Sequence, residues 1–126
     1  MVAGMAPVLE AGRYLFTALD CWPSAQEAGP LLGVFREEEG LTAYRRLGPE
    51  EVLPPGGVAM VKITLQVYSD LEGVGLTAAV ATTLAEEGIP CNVVAALHHD
   101  HLFVPETQGA AALRCLEALA QAAKDA

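Results

Sequence analysis

Positive charge is scarce in this 126-residue chain: seven Lys and Arg stand against sixteen Asp and Glu, for a net charge of -9. That balance repels phosphate backbones and anionic headgroups, so neither nucleic acid nor a membrane surface is expected as a partner. Cysteine is also sparse. Cys21, Cys91 and Cys115 are widely spaced and form no C-x-x-C pair, which excludes a disulfide framework and a zinc ribbon. No apolar run reaches the roughly 18 residues of a membrane helix, and residues 1–7 carry no basic n-region of a secretory signal. The expected address is the cytoplasm, where the cysteines pack as small apolar side chains.

The motifs of catalysis and nucleotide binding are missing as well. Gly73-x-Gly75 lacks the third glycine and the βαβ context of a dinucleotide site, and no Gly-Lys-Ser/Thr loop occurs. Ser69 has no nucleophile elbow around it, and no spacing pairs acids in a cleft. Neither enzymatic activity nor a cofactor is expected. Glu37-Glu38-Glu39 reads as a solvated edge beside a turn, and Arg45-Arg46 is too small for a nucleic-acid patch. Trp22, the single tryptophan, suits packing better than a cofactor stack.

Hydrophobic residues are plentiful, at 52% of the chain, enough for a substantial core. Leu53-Pro54-Pro55-Gly56-Gly57 breaks regular structure and marks the expected boundary between two modules, 1–57 and 58–126. In the second, 61–69 alternates, with Ile63, Leu65 and Val67 on one face and Lys62, Thr64, Gln66 and Tyr68 on the other, as a half-buried strand does. Leu76, Val80 and Leu84 then recur at helical spacing until Gly88-Ile89-Pro90, and Ser69 or Asp70 can cap that helix. Residues 91–97 and 101–104 read as a hairpin, and Pro105-Glu106 opens a second helix with Ala112, Leu116, Leu119 and Ala123 as its buried stripe.

Strand, helix, strand, strand, helix is most of a ferredoxin-like βαββαβ module, an α+β fold with an antiparallel sheet and its helices on one face. The sequence after the second helix supplies no last strand. The first half gives an abbreviated version: a strand at 13–19, a short helix around 25–32 with Pro30 inside it, strands at 33–38 and 41–47, and one turn started by Pro49-Glu50-Glu51. The two modules are expected to complete each other's sheet, the first part of 58–68 serving the first module.

Two clusters carry chemistry. Gly73 and Gly75 lie between a strand and a helix, where backbone N–H groups and the helix N-terminus can hold a carboxylate; Asp70 and Glu72 can accept from an ammonium, and Asn92 can donate and accept. Plain helix capping explains the same residues. The second cluster is His98, His99, Asp100 and His101, all three histidines of the chain. On an extended strand only His99 and His101 share a face, short of three metal ligands unless Cys91 joins them, so a polar turn and a metal site both stand.

The segments Val67-Tyr68-Ser69-Asp70-Leu71-Glu72-Gly73-Val74-Gly75-Leu76-Thr77-Ala78, Gly88-Ile89-Pro90-Cys91-Asn92-Val93-Val94-Ala95 and His98-His99-Asp100-His101-Leu102-Phe103-Val104-Pro105 resemble small bacterial proteins built from two ACT domains. The first half resembles them more loosely, through Tyr14-Leu15-Phe16-Thr17 and Phe35-Arg36-Glu37-Glu38-Glu39-Gly40-Leu41-Thr42. ACT domains also form the regulatory part of aspartate kinases and the arginine-sensing CASTOR proteins. The resemblance implies two ACT modules side by side, a homodimer, and a non-catalytic regulatory or sensory role in binding a free amino acid at a module or dimer interface. The matching ligand region is Ser69, Asp70, Leu71, Glu72, Gly73, Val74 and Gly75 with Cys91, Asn92 and Val93, and His99 as the histidine assigned a ligand contact. The alternatives are a structural association module without ligand, or a metal-binding protein using the turn at 98–101.

Overall fold

The computed structural model describes residues 2–67 and 74–126. Ser69, Asp70, Leu71, Glu72 and Gly73 therefore lie outside the described residues. The chain forms two compact units: Met1–Ala11 with Val61–Ala126, and Gly12–Met60.

The first unit contains strands β1 (Pro7–Leu9), β5 (Met60–Leu65), β6 (Asn92–Ala95) and β7 (Asp100–Pro105), and helices α1 (Leu76–Glu86) and α2 (Gly109–Asp125). The sheet order is β1-β5-β7-β6, the order of a ferredoxin-like sheet. The missing last strand comes from the start of the chain: β1 pairs antiparallel with β5, Pro7 opposite Leu65 and Leu9 opposite Ile63. No strand was expected before residue 13. Three residues beginning with Pro carry no alternation to read, and an edge position tolerates the missing N–H.

Alternation decides which face the helices cover. Ile63 and Leu65 of β5, Leu102 and Val104 of β7, and Leu76, Val80, Leu84, Ala112, Leu116 and Ala120 of the helices form one buried cluster, with Met5 filling it from the N-terminal segment. Each large member contributes about 1.5–3 kcal/mol by leaving water. α1 ends in a Schellman arrangement. Gly88 takes φ +70°, its N–H donates to the Ala85 carbonyl, and the Ile89 N–H donates to the Leu84 carbonyl at 2.9 Å. A short 3-10 turn, Glu106–Gln108, leads into α2. At Gly109 a Cβ would lie 2.6 Å from a Val61 methyl carbon, so only glycine lets α2 begin this close to β5.

The second unit is a meander of β2 (Tyr14–Leu19), β3 (Leu31–Glu37) and β4 (Gly40–Arg46) in the order β3-β4-β2. The helix expected around 25–32 is not formed. Ser24 and Glu27 do make a reciprocal capping box, each backbone N–H donating to the other's side chain. Gly29 and Pro30 stop what it starts, and only turns span 25–30 before β3 begins at Leu31. Tyr14, Leu15, Leu41, Ala43, Leu47 and Met60 are the unit's buried apolar residues. A polar knot closes its C-terminal part: Arg45 grips Glu51 through two bonds of 2.9 and 2.6 Å, and Arg13 donates to the Glu51 carbonyl at 3.1 Å. The Gly48 N–H also donates to the Glu51 carboxylate. The Arg45 guanidinium, the Gly48 amide and the charges of Arg45 and Arg13 pull the Glu51 carboxyl from the usual 4.5 down to about 2.

Candidate functional site

Two places in the first unit gather polar groups. One is the N-terminus of α1. Gly75 is its N-cap at φ +101° and ψ -34°, no side chain among the described residues caps the helix, and its first turn holds no acidic residue. Val74 is 92% exposed, and nothing lies within 4 Å of where a Gly75 Cβ would be. Among the described residues no side chain meets the orphan N–H groups at the positive end of the helix dipole, where an anionic group is favoured. Gly75 holds the N-cap position; Ser69 and Asp70, the caps expected from the sequence, lie outside the described residues.

The other residues expected around a ligand are spread along the β6–β7 hairpin. Cys91 packs against the core cluster, as does Val93, and burial pushes the Cys91 thiol up. Asn92 is opposite Phe103, and its amide donates to the Phe103 carbonyl at 3.4 Å. His101 is opposite Val94, two rungs along from Asn92, a spacing of roughly 7 Å at strand rise. The histidine end of β7 lies beside the end of β5, where the His101 imidazole bonds Thr64. Cys91 and the histidines point to opposite faces of the sheet by the period of two, so the cysteine does not join them. His99 and His101 do share a face, their ring centres 6.4 Å apart.

That face, away from the helices, carries the second gathering. Lys62 and Thr64 alternate with Ile63 and Leu65, which are in the core. The Lys62 ammonium bonds the Glu10 carboxylate at 2.9 Å, and the Thr64 hydroxyl lies 3.0 Å from His101 Nδ1. Burial raises the Glu10 carboxyl, but the Lys62 bond and charge, a bond from Thr64 and the charge of His101 bring it below its usual value. Burial, then the charge of Lys62, pushes His101 down against the opposing pull of Glu10 and Asp100. Glu10 was not anticipated because β1 was not, whereas Lys62 and Thr64 were visible as the polar face of a strand. Among the described residues no three His, Cys, Asp or Glu side chains are placed to hold one metal ion, and no helix is long and apolar enough to cross a membrane.

Comparison with known proteins places this architecture. A crystal structure of a Vibrio cholerae protein of unknown function, described as a possible transport protein, is 39% identical, with a TM-score of 0.76 over 91% of this chain and 90% of that one. A crystal structure from Agobacterium tumefaciens is similar in fold alone, at 18% identity and a TM-score of 0.69 over 90% of this chain and 87% of that one. No functionally curated protein matches. ACT domain profiles match residues 57–118 and residues 1–44. With both halves matched, and with the ferredoxin-like order and two helices of the first unit, the chain belongs to the ACT domain family as a small two-ACT-domain protein.

Proposed function

We propose that this protein is a non-catalytic regulatory or sensory module that binds a free amino acid, with the ligand's carboxylate at the N-terminus of α1. ACT domains are commonly small-ligand regulatory modules, which supports the class. The observation that carries the reading is the helix end: Gly75 at the N-cap, and among the described residues no side-chain cap and no acid in the first turn. A carboxylate there meets several backbone N–H groups and the positive end of the dipole without needing a basic side chain. That suits a chain of net charge -9. The loop residues Ser69, Asp70, Leu71, Glu72, Gly73 and Val74 belong to the proposed site, Asp70 and Glu72 accepting from the ammonium. Asn92 and His99 complete it through their side chains, and Cys91 and Val93 through their backbone, at an interface between modules or between two copies of a cytoplasmic homodimer.

A thermal-shift panel of the twenty amino acids tests the proposal. An amino acid at 100 times its dissociation constant adds about 2.7 kcal/mol of stability, and the absence of any shift across the panel removes the reading. Val74→Glu sharpens the test. Val74 is almost fully exposed, so the new carboxylate leaves the fold intact and occupies the helix end itself. The variant is expected to lose the ligand shift; a shift of unchanged size places the ligand elsewhere.

A further inference from the structure

One edge of the first unit's sheet is β1, whose one neighbour among the described residues is β5. The Glu10 N–H donates to the Lys62 carbonyl at 2.9 Å and the Gln66 N–H to the Ala6 carbonyl at 3.3 Å. In the register that sets Leu9 opposite Ile63, those bonds make the even-numbered residues the ones that bond β5. Antiparallel pairs alternate, so the Pro7 carbonyl and both the N–H and the carbonyl of Leu9 point away from β5, to the outside of the sheet. The Gln66 N–H also reaches the Met5 carbonyl at 2.8 Å, two residues against one as in a β-bulge, and Ala6 takes φ +41°. The kink sends Met5 into the core, while Ala3 and Gly4 wall a cleft.

That cleft, of about 440 Å3, runs between the N-terminal segment with the start of β1 and the second half of α2, where Glu117 and Lys124 line it. Its volume is within the range of ligand sites. Glu117 and Lys124 are exposed, and among the described residues neither forms an ion pair. Seven residues apart, they share one face of the helix and stand about 10.5 Å from each other along its axis, the length of roughly three residues of extended chain. A free amino acid, whose ammonium and carboxylate sit on one carbon, cannot span them. We propose that this cleft docks an extended peptide of a partner protein, which adds to β1 as an outer strand and sets a basic side chain against Glu117 and a carboxylate, three positions further on, against Lys124. α2 begins beside Leu9 and its last turns line the cleft with Ala3 and Gly4, so it runs antiparallel to β1. An antiparallel peptide passes Glu117 first and Lys124 last, which fixes the order of its charges as basic, then acidic. The inference is independent of amino-acid binding at α1.

Titration of the nitrogen-15-labelled full chain with the end-blocked peptide Thr-Lys-Val-Thr-Glu-Val tests it. Saturable amide shifts centred on β1 and the second half of α2 are expected, with the Leu9 N–H slowed in hydrogen exchange by its new bond. The peptide Thr-Glu-Val-Thr-Lys-Val, with the charges exchanged, should bind about fivefold more weakly. Glu117→Lys and Lys124→Glu, both at exposed positions, should each weaken binding of the first peptide by about fivefold, and the double variant should prefer the second peptide. The proposal is overturned by no saturable shift with either peptide at millimolar concentration, by affinity unchanged in both single variants, or by binding that leaves Leu9 exchange as it was. A dimer in sedimentation that protects the Leu9 N–H without peptide would also overturn it and assign the edge to a second copy.

Discussion

The two units reach stability by different means. The first covers one face of a four-stranded sheet with two helices, and its core is a continuous apolar cluster with Met5, Ile63, Leu84, Val104, Ala112 and Leu116 at 0% exposure. The second has three strands, no helix among its described residues, and a shorter set of buried side chains. It adds the knot of Arg13, Arg45, Gly48 and Glu51. Where helices supply apolar cover, packing dominates. Where they are absent, a few polar groups fix the loop that follows the meander, and that loop becomes sensitive to pH and salt.

The largest expected break falls on the first unit. Leu84→Ala, at a fully buried position, should cost about 2–5 kcal/mol, read as a lower midpoint of helical circular dichroism in urea; a loss under 1 kcal/mol would show that the helices are not the unit's mainstay. Gly109→Ala should cost about 1–3 kcal/mol by overpacking, since its methyl would meet Val61. A neutral result would mean that α2 can lift from the sheet freely.

The contrast sharpens at Glu51. Its carboxyl is depressed to about 2 from 4.5, so the stability it contributes is present above pH 4.5 and is lost as pH falls toward 2. Glu51→Gln should lower the unfolding midpoint near pH 7, and the difference from wild type should disappear near pH 2. A difference that persists at pH 2 would mean that charge is not what Glu51 supplies. The smallest effect is expected at Arg36, whose guanidinium lies 5.1 Å from the Trp22 ring centre. With Trp22 54% exposed, Arg36→Ala should change stability by under about 1 kcal/mol while altering fluorescence. Trp22 is the single tryptophan, so its emission follows the second unit alone.

Much of the first unit was legible because its signals are local. The spacing of Leu76, Val80 and Leu84, the alternation through Ile63 and Leu65, and the shared face of His99 and His101 all depend on neighbours a few residues away. In the second unit a local signal misled. Ser24 and Glu27 form the capping box of a helix, yet Gly29 and Pro30 allow only turns. What could not be read is what joins distant segments. Glu10 beside Lys62, and Thr64 beside His101, follow from the register of β1 on β5 and from the neighbouring place of β7, and no window of sequence contains either pair. The N-cap at Gly75 was hidden by a better capping candidate in the sequence, Asp70, five positions earlier.

The pairing of β1 with β5 changes what the linear order of the chain means. The Glu10 N–H donates to the Lys62 carbonyl at 2.9 Å, so the chain leaves the first unit and returns to it on adjacent rungs. In topological terms β1 and β5 are the two arms of one hairpin, and Gly12–Met60 occupies the place of its turn. The second unit is an insertion in the first, the kind of position where evolution and protein engineering exchange whole segments. A two-residue Asn-Gly turn has the length such a hairpin needs. The first unit is therefore a complete strand, strand, helix, strand, strand, helix module whose opening strand is separated in sequence, though not in space, from all the rest.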